Sequence, residues 1–328
     1  MTIRLRSEDK MKALVFREKL ALEDVPKPHP AAGEALVKAL MVGICKTDVE
    51  ISRGYMDFKG IPGHEFVGVV ESSPESSQIG TRVVGEINAG CGDCPYCRQG
   101  LERHCPNRTV LGILGRNGAF AEYLTLPVRN LIPVPATLPD EKAVFVEPLA
   151  AALEILEQVA GRPADSVLVI GDGKLGLLIS MVLRLTGCRL KLVGKHREKL
   201  ALFSRLGGCV EALESFADSN HSFDIVVEAS GHPSGWEFAL RNVKPRGIIV
   251  LKSTYHGALN FNTAPLVINE ISVVGSRCGK FEPALRLMEQ GLIDPSPLIS
   301  GIFPLDEIEE AFRKSLEKDN LKVLVKMT

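Results

Sequence analysis

Up to about Phe145 the chain is written in short runs of alternating apolar and polar residues: Ala13–Phe16, Glu34–Val42, Glu65–Val70, Arg82–Glu86 and Phe120–Leu126. A period of two, broken by Gly, Pro and Asn, predicts a β domain of short strands. From about Pro148 the texture changes. Leu149–Val159 reads as a helix, and the wholly apolar Ser166–Ile170 reads as a strand buried on both faces. A glycine turn and an apolar helix, Leu175–Leu185, come next. Strands are then expected at Arg189–Val193, Asp224–Glu228, Gly247–Leu251 and Glu270–Gly275, with helices at Lys199–Gly207 and Ser234–Asn242. Strand and helix alternating at this spacing predict a doubly wound parallel sheet, so the fold class is α/β with a β-rich first part. From Phe281 the pattern gives a helix, a Pro-rich link, an acidic-start helix at Asp306–Leu316 and a last strand at Lys322–Lys326.

Composition narrows the classes. A chain of 328 residues exceeds one ordinary domain and suits two. The formal net charge of −1 supplies no basic field for nucleic acid or an anionic membrane, so neither is expected as a partner. The first residues lack an apolar run with a small-residue cleavage site, and Leu175–Leu185 is too short to span a bilayer; a cytoplasmic protein is expected. Eight cysteines in such a length are not a disulfide scaffold, and four of them fall within fifteen residues.

Those four read CGDCPYCRQGLERHC, with Cys91, Cys94, Cys97 and Cys105 spaced C-x2-C-x2-C-x7-C. Four thiolates around one zinc ion make a closed, structural site; an iron–sulfur cluster is the main rival. A second set is looser. Gly43–Glu65 holds a thiol, Cys45, and an imidazole–carboxylate pair, His64–Glu65, which would suit a catalytic zinc with an open position. The competing reading is a buried thiol and a core histidine that never meet. Farther on, Gly171, Gly173 and Gly176 form G-x-G-x-x-G directly after a buried strand and at the start of a helix. With Lys174 and Leu175 they are expected to cradle a dinucleotide pyrophosphate.

Together the lobe, the GHE-x2-G stretch upstream and the nucleotide fold downstream resemble the zinc-containing medium-chain dehydrogenase/reductase family, to which alcohol, polyol, glucose and threonine dehydrogenases belong. The resemblance runs from about Lys12 to the C-terminus. It implies a GroES-like catalytic domain at residues 1–146 with the zinc lobe at 88–107, a Rossmann domain at 147–279, and a return to the first domain at 280–328. Gly43-Ile44-Cys45-Lys46-Thr47-Asp48 matches the family's first ligand motif. This implies Cys45 as a zinc thiolate, Thr47 as the hydroxyl that takes the substrate proton, and Lys46 as a base facing the cofactor pyrophosphate. Glu50 falls where a proton-relay group often stands, although a solvated acid explains it as well. His64 is the implied second ligand. Glu65 either ligates or orients the site from behind. Pro74 replaces a glycine of the usual signature, so a different local turn is expected there.

For the third ligand, the absence of any cysteine between Cys105 and Cys188 leaves a carboxylate or His104. The segment Val146-Glu147-Pro148-Leu149 matches the polyol and glucose group and implies Glu147; an acid serving only the dipole of the following helix competes with that. Two zinc ions per chain, one catalytic and one structural, are therefore expected. The second strand of the nucleotide fold ends without an acid. Gly194 leaves room for a 2′-phosphate, and Lys195, His196 and Arg197 are positioned to pair with it, so NADP is expected over NAD. Ser230, in Glu228-Ala-Ser230-Gly231, matches the turn beneath the nicotinamide ribose, and Ser276 and Arg277 are expected near the nicotinamide end. The implied activity is hydride transfer between NAD(P) and a secondary alcohol, polyol or sugar. A simple-alcohol or threonine-type dehydrogenase is the alternative, and a non-catalytic zinc- and nucleotide-binding relic the outside reading. A homodimer or homotetramer pairing through Glu270–Gly275 is also expected.

Overall fold

The computed structural model describes residues 9–217, 221–254 and 261–327. The chain forms two compact units. One runs up to Glu147 and resumes at Ala284; the other is Pro148–Pro283. The helices Val146–Gln158 and Phe281–Glu289 carry the two crossings.

The first unit is built on a seven-stranded sheet around Glu34–Gly43. One side of this strand pairs antiparallel with Glu65–Ser72. The other side is shared: Glu34–Lys38 pairs with Tyr123–Pro127, and Met41–Gly43 pairs with the C-terminal strand Lys322–Lys326. Strand Lys322–Lys326 in turn lies parallel to Ile299–Pro304. The alternation of KALMVG at the end of the central strand leaves Ala39, Met41 and Val42 buried, which commits its register. A hairpin of Lys10–Phe16 with Leu20–Pro26 adds a two-stranded sheet. Leu20–Pro26 escapes the sequence pattern because none of its residues is fully buried and it carries two adjacent acids. Ile299–Pro304 escapes it because Gly301 and the terminal proline mask the period. Around Pro74 the chain makes a short 3₁₀ turn, Ser76–Gln78, and Gly80 N–H then donates to Val70 O at 2.8 Å.

The second unit is a six-stranded, all-parallel sheet. Its order is Cys209–Ala212, Arg189–Gly194, Ser166–Ile170, Phe223–Glu228, Val243–Leu251, Ser272–Gly275. This is the doubly wound nucleotide-binding arrangement. Leu168, Ile170, Val193, Val226, Trp236, Phe238 and Ile249 form its core. Fully burying each such side chain contributes roughly 1.5–3 kcal/mol. Cys209–Ala212, CVEA, was not expected as a strand; it is a four-residue edge, too short to show a period. Val243–Leu251 starts four residues earlier than its apolar run, because Val243 is buried in the core and Arg246 N–H reaches Asn269 O at 2.7 Å. Among the described residues no helix is long and apolar enough to cross a membrane.

Candidate active site and metal centres

Strand Glu34–Gly43 delivers the chain to Cys45, which caps the six-residue helix Lys46–Ile51. Cys45 N–H donates to Asp48 Oδ2 at 2.8 Å, so an acid three residues on holds the cap. Asp48 is fully buried and works in two directions. Its Oδ1 also accepts from Gly63 N–H at 3.2 Å and stands 3.2 Å from His64 Nδ1. A carboxylate behind one ring nitrogen orients the imidazole and leaves Nε2 for an ion. The thiol of Cys45, the imidazole of His64 and a carboxylate oxygen of Glu65 all lie within 4.8 Å of one another. Cys45 Sγ is 3.8 Å from Thr47 Oγ1. Burial works against charge on His64, yet Asp48 and Cys45 beside it prevail and hold its pKa well above the ordinary imidazole value.

A group without a signal in the sequence completes this centre. Lys322, fully buried at the start of the C-terminal strand, forms an ion pair with fully buried Glu65. Burial pushes Lys322 down to about 8, against the opposing pull of Cys45 and Asp48. Gly43 makes room for the pair: a Cβ there would meet Glu65 Oε2 at 2.7 Å and Lys322 Nζ at 3.2 Å. The register explains the meeting, since Gly43 lies opposite Glu65 on one side and Leu324 on the other.

Glu147 is half-buried in the first turn of helix Val146–Gln158 and stands outside the mutual 4.8 Å set. His104 is exposed on the lobe and is not part of it. Lys46 is exposed, and Glu50 pairs with Arg53 at 3.1 Å.

The lobe thiols of Cys91, Cys94, Cys97 and Cys105 also lie within 4.8 Å of one another, and all are free cysteines. Cys91 Sγ is 3.6 Å from Cys105 Sγ and 4.0 Å from Cys97 Sγ. Two backbone N–H groups already donate to sulfur: Cys91 to Cys105, and Cys97 to Cys94, each at 3.4 Å. Burial, with the neighbouring thiols, pushes Cys97 up to about 12. Four convergent sulfurs with N–H···S support are the donor set of a tetrahedral metal–thiolate site.

In the second unit the order of strands reverses between Ser166–Ile170 and Phe223–Glu228, and ligands of open α/β sheets bind at the carboxyl end of such a switch. The Gly171 turn and the Glu228–Gly231 turn sit at those two strand ends. They are in contact: a Cβ on Gly171 would be 2.6 Å from Ala229 O. A Cβ on Gly173 would meet nothing within 4 Å, so the turn has open space where a pyrophosphate would lie, at the start of helix Lys174–Arg184. The residues present therefore fit a dinucleotide. Ser230 donates its N–H and Oγ–H to buried Glu228 Oε1, at 2.8 and 2.5 Å. Lys252, also unsignalled in the sequence, donates to Ala151 O, Ser276 Oγ and Arg277 O at 2.6, 3.2 and 2.9 Å, bracing the Ser276 segment. Arg277 and Lys195 are exposed, and Arg197 pairs with Glu214 at 2.5 Å on the surface.

Residues 31–136 match the alcohol dehydrogenase GroES-like domain, and residues 141–327 match the glucose dehydrogenase C-terminus. The chain belongs to the zinc-containing medium-chain dehydrogenase/reductase family and is an NAD(P)-linked oxidoreductase of the alcohol and polyol dehydrogenase class. It is 30% identical to D-arabinitol dehydrogenase 1 of Uromyces fabae over 315 residues, which cover 89% of this chain and 90% of that one. Among solved structures it resembles the RspB alcohol dehydrogenase of E. coli CFT073 complexed with NADH, with TM-score 0.90 and 28% identity over 97% of this chain and 100% of that one. It also resembles a zinc-binding dehydrogenase of Sinorhizobium meliloti 1021 bound to NADP, with TM-score 0.88 and 27% identity over 97% and 99% of the two chains.

Proposed function

We propose that Cys45, His64 and Glu147 hold a catalytic zinc, with Thr47 as the proton acceptor, and that the substrate is a secondary alcohol of a polyol or sugar. The convergence of Cys45 and His64 on Glu65, with the Thr47 hydroxyl beside the thiol, carries this reading. Glu65 is already neutralised by Lys322, which favours Glu147 as the lasting carboxylate ligand and Glu65 as the group that orients the site. Bound zinc supplies Lewis acidity toward the alcohol oxygen, and bound nicotinamide supplies the hydride acceptor. The chain's own part is to hold and orient the alcohol and to relay its proton: Thr47 Oγ1 takes the substrate proton as its own hydroxyl proton passes on toward water. Cys91, Cys94, Cys97 and Cys105 hold a second, structural zinc, so each chain carries two.

The cofactor lies along Gly171, Gly173, Lys174, Leu175 and Gly176, with Ser230, Ser276 and Arg277 toward its nicotinamide end. NADP is preferred over NAD because Gly194 is followed by Lys195, His196 and Arg197 with no strand-end acid. A cytoplasmic setting is supported by the C-x2-C-x2-C-x7-C lobe, because cysteines grouped as metal donors suit a reducing compartment. Self-association as a dimer or tetramer through the edge strand Ser272–Gly275 is supported by the exposed Val267, Ile268 and Val273 next to it.

The test is a panel of polyols including D-arabinitol, aldoses, simple alcohols and threonine, assayed on zinc-loaded protein with both cofactors. The highest kcat/KM is expected for a polyol with NADP. A chain turning over none of them, or preferring a primary alcohol, contradicts the substrate reading.

A further inference from the structure

The glycine turn carries an acid that pyrophosphate binding does not ask for. In a dinucleotide fold, the acid that accepts the adenosine ribose 2′-hydroxyl stands at the end of the second strand. That strand, Arg189–Gly194, ends here in a glycine. Asp172, between the first two glycines of the turn, sends its side chain over Gly194: a Cβ on Gly194 would come within 2.4 Å of both Cβ and Oδ2 of Asp172. No side chain fits at position 194 while Asp172 keeps this position. The acid has in effect moved from the strand end to the turn, and it has moved inward, since Asp172 is only 7% exposed.

Its carboxylate is also spent. Oδ2 accepts the His196 backbone N–H at 2.5 Å, and Oδ1 and Oδ2 lie 3.1 and 3.2 Å from His196 Nδ1. An N–H and an imidazole that both bind one carboxylate lower its power to accept from, or to repel, a third group. Meanwhile the ring of His196 is held by its Nδ1 side, with the side chain 38% exposed, next to exposed Lys195. Arg197 is engaged with Glu214 in a pair that is 80% and 69% exposed, a weak claim that a phosphate can displace.

We propose that Asp172 is the specificity-determining positioning residue of the adenosine end: it takes the volume of the strand-end acid and holds His196 by Nδ1, so that the 2′-phosphate of NADP meets the Nε2–H of an imidazolium and an ammonium instead of a carboxylate. The proposal rests on the dinucleotide reading of the Gly171–Gly176 turn and on the cofactor preference stated above. It adds that Gly194 and Asp172 are one device, in which neither residue can change alone.

Equilibrium binding of NADPH and NADH to the zinc-loaded full chain, followed by nucleotide fluorescence, tests it without reference to turnover. His196→Ala and Asp172→Ala should each weaken NADPH by about tenfold, the worth of one charge-assisted hydrogen bond, and leave NADH within about twofold. Asp172→Asn, which can still accept the His196 N–H, should recover part of the loss. Gly194→Asp alone should bind both nucleotides poorly, whereas the double variant Asp172→Ala/Gly194→Asp should prefer NADH. Equal weakening of both nucleotides in His196→Ala and Asp172→Asn would make the pair a structural brace and overturn the proposal. Tighter NADPH binding in Asp172→Asn would overturn it too, because the acid would then be opposing the phosphate. Wild-type protein that binds neither nucleotide refutes the dinucleotide reading itself; protein that binds both equally refutes only the selectivity device.

Discussion

The two cysteine-bearing centres of the first unit are assembled in opposite ways. The lobe takes all four donors from the fifteen residues Cys91–Cys105, and the short helix Pro95–Arg98 with its flanking turns is enough to converge them. The other centre draws Cys45 from the end of one strand, His64 and Glu65 from the start of its neighbour, and Lys322 from the strand that closes the chain. The lobe is chemically uniform and closed. The second centre mixes thiol, imidazole, two acids and an amine, and three protein ligands to an ion there would leave a position for substrate. A structural ion needs only local chain; a reactive one needs charges delivered by the whole sheet.

The largest effect that separates the two should come from exchanging one thiol in each. Cys45→Ser is expected to lower kcat/KM by about 10³-fold or more, equivalent to about 4 kcal/mol of transition-state stabilisation, with Tm nearly unchanged. Cys97→Ser should do the reverse, lowering Tm sharply because structural zinc contributes directly to folding, while activity per folded molecule survives. Steady-state kinetics and thermal melts on the same preparations decide between this and a common role for both centres.

Next in size is the ion pair behind the reactive centre. Lys322→Met leaves Glu65 buried without its cation, a loss on the order of 3–5 kcal/mol measured by urea unfolding. Adding Glu65→Gln to Lys322→Met should restore much of that stability. If the single variant is as stable as wild type, the pair does not organise the site.

The smallest effect is on pH. His64 has a raised pKa in the folded, metal-free protein, so the fold favours the protonated ring below that value. Zinc needs the neutral ring and must displace the proton. Zinc affinity at this centre should therefore rise as pH rises toward the raised pKa of His64, and level off above it. Competition titrations with a zinc chelator across pH, on Cys97→Ser protein that retains only this centre, read the slope; a flat profile would place the proton elsewhere.

The same contrast explains what the sequence could reveal. The lobe was readable because its spacing is its geometry. Cys45 and His64 were readable as donors, and their meeting follows from the pairing of two alternating strands in sequence order. Lys322 was not readable: nothing in KVLVK distinguishes a buried lysine from an edge charge until Leu324 is registered against Gly43. Asp172 was hidden for a related reason. Within the turn it reads as a polar loop residue, and only the crossing of turn and second strand brings it over Gly194. The parallel sheet was legible through apolar runs such as Val167–Ile170 alternating with helices, whereas its short edge, Cys209–Ala212, carries no period to read. The elements that escaped are those whose burial is decided by a distant partner.

Zinc content per chain, measured by mass spectrometry on wild-type and Cys45→Ser protein purified without chelator, tests the central claim most directly. Two ions are expected in the wild type and one, retained in the lobe, in the variant. Two ions in both proteins, or one in both, would contradict it.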